Sequence, residues 1–583
     1  MRQIILLPYM VLLLAGCGGH QVQQQENGAS ATAISEPVVG EPITMCAPPP
    51  TSDTLWYTQN KKAPLFDGLQ GVNFPITTSN PEAQRYFNQG LMLAYGFNHA
   101  EAARSFFEAT RQDSSCAMCF WGYSYVLGPN YNGGMEPDNF SRAYRAVQQA
   151  RQLAGKASAK EQALIRALEQ RYPPNPVEDR APYDEAYAEA MQQVYTQYPR
   201  DADIGALYAE ARMDLHPWDL WQKNGQPQPW TEEIVHTLQA VMKLNPKHAG
   251  ANHFYIHATE ASRHPEAAKS SAQLLETLVP AAGHLLHMPS HTYIRTGDYH
   301  AGTRANLRAV QADSAYTTAC YAQGAYPLAY YPHNYHFMAA TATLEGNSRL
   351  AMLGAEKLAE HVDTDIMKNP GWETLQHYYT IPYMVATKFG LWDEVLQMQN
   401  ADTTLIYPEL IRHFARGMAY IGKNDLAKAK AELAELKALN DEEELKKMTI
   451  WGINSMYDIA RIAQLVLEGE VLASEAAHEQ GIQLLREAVA IEDQLNYNEP
   501  PDWFFSVRHH LGNVLLQAEQ YQEAAAIYEQ DLMTLPKNGW ALSGLSQAYA
   551  GLGNSAKAKQ AQGDFEDAWQ WADVKLAASE VVR

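Results

Sequence analysis

Small and large apolar residues recur along this chain with a spacing of 34, a rhythm that predicts pairs of short helices packed face to face. With Phe505 as position 1, Gly512 falls at position 8, Tyr521 at 17, Ala524 at 20, Tyr528 at 24 and Pro536 at 32. The next copy follows at once with Trp540, Tyr549, Gly553 and Ala558. Near the other end, Ala83 as position 1 places Asn98 at 16, Ala102 at 20, Phe106 at 24 and Ala109 at 27. Further copies start at Ala249, Gly283, Pro332, Gln376 and Leu410. Small residues at 8 and 20 let the two helices of a unit approach closely, and the large residue at 24 fills the gap to the next pair. No such unit buries its apolar face alone, so neighbours must stack. The period breaks at 126–140, 172–182, 214–230, 316–331 and 440–450, which predicts longer loops there. Gln226-Pro227-Gln228-Pro229 and Asn498-Glu499-Pro500-Pro501 are strong helix breakers.

This spacing is that of the tetratricopeptide repeat. It predicts an all-α, tetratricopeptide-type superhelix of helical hairpins, an α-solenoid with one concave and one convex face, over residues 79–583. Trp56, Tyr57, Leu65, Phe66 and Phe74 among turn formers predict an irregular cap at 51–78. Ahead of it, residues 17–50 are rich in Gln, Gly, Ser, Ala and Pro and read as a flexible tether. Residues 1–16 carry Arg2, then an apolar run, and end in Leu14-Ala15-Gly16 before Cys17. That is a secretory signal peptide, too short to span a bilayer as a permanent helix. Leu14-Ala15-Gly16-Cys17 resembles a bacterial lipobox, which implies cleavage before Cys17 and lipidation of its thiol. With Gly18 next, the expected location is the periplasmic face of the outer membrane, with the anchor as the membrane contact.

The histidines change the picture from scaffold to chemistry. The chain has 20, and ten lie between His248 and His336. His253 and His257 are one helical turn apart, and His287 and His291 repeat that pair one repeat later. All four stand at positions 5 and 9 of successive first helices. In the next copy His336 is at position 5 and His333 at position 2, where His284 and His377 also stand. Positions 2, 5, 9 and 12 form one stripe on a helix face, and by resemblance to tetratricopeptide folds that stripe lines the concave groove, here around 249–340. Neighbouring helices sit about 8–10 Å apart, so imidazoles from adjacent repeats can converge on one ion. His253, His257, His287, His291, His336, His284 and His333 are therefore the candidate metal ligands. Glu260, at position 12, is a further ligand or the general base for a metal-bound water. Such donors suit Zn, Cu or Fe. Asn252 and Asn334 are candidates to orient the imidazoles.

Other segments resemble a widespread bacterial tetratricopeptide lipoprotein family. They are Asn98-His99-Ala100-Glu101-Ala102, Leu127-Gly128-Pro129-Asn130, Pro217-Trp218-Asp219-Leu220-Trp221, the Ala282–His291 run AGHLLHMPSH, and Glu499-Pro500-Pro501-Asp502-Trp503. The resemblance covers nearly all of the folded part. It implies the fold and carries no activity with it. Cys119 departs from the family's pattern, where a non-cysteine residue is usual.

Two function classes remain on these residues. One is a metal-dependent enzyme or metal-handling protein. The other is a scaffold whose concave groove holds a protein or peptide, with Tyr293, Arg295, Tyr378, Arg412 and Arg508 as contacts. A net charge of −22 repels nucleic acid, so no nucleic-acid partner is expected. Cys46, Cys116, Cys119 and Cys320 allow three complete pairings, and the sequence does not choose among them. The spacing of Cys116 and Cys119 is that of a redox pair, but no βαβ pattern surrounds it. Gly417 and Gly422-Lys423 fall short of a phosphate loop because Asn424 stands where Ser or Thr is needed.

Overall fold

The computed structural model describes residues 54–59, 61–320 and 326–582. The signal segment, Cys17, the tether and Cys46 lie outside the described residues, as does the side chain of Cys320. What is described is an all-α stack of helical hairpins. Each repeat read from the sequence is a hairpin, from Pro81–Tyr95 with His99–Gln112 to Gly539–Gly551 with Ser555–Ala568. Four more pairs join them: Ala117–Tyr125 with Asn139–Leu153, Ala159–Glu169 with Ala181–Gln197, Ala202–Met213 with Thr231–Leu244, and Met456–Ser474 with His478–Glu492. They escape the 34-residue count because insertions inside or before them shift the phase. No described helix is long and apolar enough to cross a membrane.

The small-residue rule has a direct steric basis here. A Cβ added to Gly512 would lie 2.4 Å from the Tyr528 ring, and one on Gly417 2.5 Å from Leu467. Both are position-8 glycines, and any side chain there would push the helices apart. Hairpin turns repeat a second device. Phe97, Gly346, Asn424 and Gly553 take positive φ, and the next residues, Asn98, Asn347, Asp425 and Asn554, each accept a backbone N–H of the following helix. Each such cap stabilises its helix by about 1 kcal/mol.

Two expectations are corrected. Residues 316–331 are not a loop throughout: the helix Tyr299–Cys320 runs into that stretch, and Tyr326–Tyr330 form a π-helical turn. Burial explains it, since Tyr316 packs edge-on against Phe66 and Tyr326. Nor is the histidine-bearing face open to solvent. His253, His257, His284, His287 and His291 are 0–2 % exposed. Phe97, Tyr131 and Trp218 cover them from one side, and Glu499 reaches them from the other. The C-terminal hairpins also return to the middle of the chain: Trp540 Nε1 donates to the Thr343 carbonyl and the Tyr299 hydroxyl to that of Pro536.

Cys116 and Cys119 form a disulfide at the start of the helix Ala117–Tyr125. Both are buried, which suits a staple rather than a redox centre.

Candidate metal centre

Three helices deliver the cluster. Ala249–Glu260 carries His253, His257 and Glu260; Gly283–His287 and Pro289–Thr296, two segments of one broken helix, carry His284, His287 and His291; Tyr331–Leu344 carries His333. Gly283 opens the second of these because a Cβ there would sit 1.9 Å from Oδ1 of the buried Asp313. Pro289 follows as a first-turn residue of the next segment.

The ring nitrogens divide into outward and inward sets. His253 Nδ1–H donates to the Tyr95 carbonyl at 2.6 Å. His257 Nδ1–H donates to Glu260 Oε1 at 3.0 Å. His287 Nδ1–H donates to Asn306 Oδ1 at 2.7 Å, and Asn306 is held in that orientation by its own amide donating to the Gly302 carbonyl. Nδ1 of His291 lies 2.6 Å from Glu260 Oε2 and 3.4 Å from Glu499 Oε2, close ion-pair contacts without hydrogen-bond alignment. His333 Nδ1 is 3.5 Å from the Tyr378 hydroxyl. A neutral imidazole that donates through Nδ1 has its lone pair on Nε2, and in His253 and His287 that atom faces a neighbouring imidazole. His253 and His284 are 3.2 Å apart through Nε2, His287 and His291 2.9 Å. Among the described residues, His257 Nε2 and His284 Nδ1 are buried without a hydrogen-bond partner.

Ligand atoms of His253, His257 and His284 lie within 4.8 Å of one another, as do those of His287, His291 and His333, and those of Glu260, His291 and Glu499. These groups could hold a metal ion. Burial works against charge on most of the imidazoles: it pushes His253, His284, His287 and His333 well below the ordinary histidine value, and neighbouring rings add to the effect. His291 is the reverse. Burial would lower it too, but the Glu260 and Glu499 carboxylates outweigh that and lift it to about 9. Glu260 moves down in turn: burial opposes its charge, and His291 and His257 overcome it. Positive charge is thus favoured at His291, between Glu260 and Glu499, and disfavoured on the rings around it.

Not every predicted residue joins. His336 turns away to stack on Phe504 at 5.1 Å, beside His377, because position 5 of that helix faces the next repeat while position 2, His333, faces the cluster. Asn252 and Asn334 do not orient imidazoles: Asn252 donates to the Pro246 and His248 carbonyls, and Asn334 to Asp313. Asn306 does that work, from a second helix outside the stripe that the repeat count singles out. Glu499 went unread as a site residue because its proline-flanked segment signals a turn, and nothing local ties it to His291. The proposed peptide contacts are committed internally. Arg412 pairs with Glu409 at 2.6 Å, Arg508 with Asp493 at 2.8 Å, and the Tyr293 hydroxyl donates to Glu276 at 2.5 Å. Arg295 lies over the Tyr497 ring.

A cavity of about 260 Å³ has Phe66, Asp313, Tyr316, Tyr326 and His284 in its wall.

No family model and no curated protein matches this chain. Among solved structures it is similar to the human IFIT1 dimer with m7Gppp-AAAA, at 12% identity over 85% of this chain and 91% of that one, TM-score 0.31. It is also similar to the APC/C hetero-tetramer Cut9-Hcn1, at 11% identity over 87% and 77%, TM-score 0.29. The P58(IPK) TPR domain gives 12% identity over 83% and 92%, TM-score 0.19. Likeness this distant transfers no ligand and no partner.

Proposed function

We propose that this protein binds a transition-metal ion in its buried histidine cluster, as a metal-dependent enzyme or a metal-handling protein. One observation carries the reading: His253, His257 and His287 are held outward through Nδ1 with Nε2 turned toward neighbouring rings, and among the described residues the buried Nε2 of His257 and Nδ1 of His284 meet no hydrogen-bond partner. Each buried polar atom left unsatisfied costs about 1–3 kcal/mol, and an ion accepting several lone pairs removes that cost. Outward anchoring of ligating imidazoles by carbonyl, amide and carboxylate is the usual support of metal-binding histidines. All-nitrogen sites suit zinc, copper or iron. A bound divalent ion supplies Lewis acidity and a water acidified toward pKa ~7. Glu260, with its oxygens on His257 and His291, fits the role of orienting these ligands. The exported, lipid-anchored location at the outer membrane rests on the sequence around Cys17 and belongs to the same reading.

The test is elemental analysis of the chain expressed with its leader while zinc or copper is supplied. Near-stoichiometric metal is expected, and none retained by the His257→Ala/His291→Ala variant at unchanged helical circular dichroism. Equal metal in that variant and the parent sinks the proposal. Partner capture from the envelope that ignores chelator would favour the scaffold reading instead.

A further inference from the structure

The geometry points to two metal ions, one in each histidine trio. This rests on the metal reading above and goes beyond it.

On one tetrahedral ion with metal–nitrogen bonds of about 2.0–2.1 Å, two ligating nitrogens stand about 3.3 Å apart. The His253–His284 and His287–His291 separations, 3.2 and 2.9 Å, are of that size. The six imidazoles do not form one such group. They fall into His253, His257, His284 and His287, His291, His333, and the trios meet edge to edge, His257 and His291 being 5.5 Å apart and His284 and His287 5.6 Å between ring centres.

Hydrogen bonding alone does not account for the trio of His253, His257 and His284. If His284 Nε2–H donates to His253, then Nδ1 of His284 becomes a buried lone pair with no donor; if it does not, two lone pairs face each other. His257 Nε2 stays unpartnered in both cases. In the second trio His291 meets His287 through Nε2–H, and the case for an ion there rests on the ligand atoms of His287, His291 and His333 standing within 4.8 Å of one another, with Asn306 and Tyr378 at the outer nitrogens of His287 and His333. Glu260 ties the two halves together, with Oε1 on His257 and Oε2 on His291, and supplies a buried negative charge between them. The competing group of Glu260, His291 and Glu499 would need Nδ1 of His291 as a ligand. Two ions instead use its Nε2 and leave Nδ1 to the carboxylates.

The experiment titrates chelator-stripped full-length protein with cobalt(II) chloride, followed by visible absorption, and counts zinc in the reloaded protein by elemental analysis. Both endpoints should fall at two ions per chain. His253→Ala and His333→Ala should each give an endpoint of one, because each removes a ligand from a different trio. Glu260→Gln should weaken both ions at least ~10-fold. If an alanine variant loses its helical circular dichroism, His257→Gln and His333→Gln repeat the comparison with less disturbance. A parent endpoint of one, or a single histidine variant that loses both ions, overturns the pair while leaving the metal reading intact. A parent endpoint of zero removes both.

Discussion

Two regions of this chain bury histidine equally well and to opposite ends. Near the C-terminus His509 is 2 % exposed, as His257 is in the central cluster. His509 is fully partnered: Nδ1 accepts from the Lys388 amine at 3.0 Å, and Nε2–H donates to Asp531 at 3.1 Å. Asn538 braces Asp531 at 2.7 Å. In the central cluster the inner faces of the rings see mainly other rings. Burial therefore does not distinguish a structural histidine from a candidate ligand. The difference lies in whether each nitrogen meets a group of opposite character: His509 does at both, whereas among the described residues His257 Nε2 and His284 Nδ1 do not.

The comparison can be broken most sharply by exchanging the two regions' roles. The His257→Ala/His291→Ala variant should lose all retained metal, whereas His509→Ala should keep the parent's metal content; elemental analysis of both decides. Next in size is stability. Metal at a free concentration a thousand times its Kd should add about 4 kcal/mol to unfolding, measured by denaturant titration with and without chelator. His509→Ala should keep that increment while losing about 1–3 kcal/mol of baseline, since Asp531 loses the His509 donor and keeps only Asn538 of the two. Asn306→Ala should weaken metal binding about 10–100-fold, and Asn538→Ala should not change it, as read by competition with a chromogenic chelator.

The smallest effect is a pH dependence confined to the C-terminal network. Burial lowers Lys388 from 10.5 to about 7. Its folded pKa is thus below its unfolded one, so between about pH 7 and 10 the unfolded chain holds more protons and native stability falls as pH falls. Lys388→Met removes the titrating amine along with the donor to His509, so the parent's stability relative to this variant should rise from pH 7 toward pH 10. Thermal melts across that range check it, and a pH-independent difference would contradict it.

How much of this was legible in the sequence follows from range. Position-8 glycines and the paired histidines offset by one repeat are local regularities, and they place the helices and name His253, His257, His287 and His291. The turn caps at Asn98, Asn347, Asp425 and Asn554 are equally local. Closure of the histidine face is not. Tyr131, Trp218 and Glu499 arrive from irregular segments whose partners no periodicity encodes, which is why the stripe reads as an open groove until the fold is seen. The hairpins between 117 and 244 were hidden for a related reason, since their long internal connections carry the count out of phase. His336 shows the limit of repeat numbering itself. It holds the same position as His253 and His287, yet the ring at position 2 of its helix is the one that meets the cluster.

The most direct measurement is X-ray absorption at the zinc edge of the reloaded full-length protein. Imidazole nitrogens at about 2.0–2.1 Å should dominate the coordination shell, and that signal should vanish in the His257→Ala/His291→Ala variant. A shell of sulfur or water oxygen, or an imidazole shell that survives in the variant, would contradict the convergence of these rings on metal.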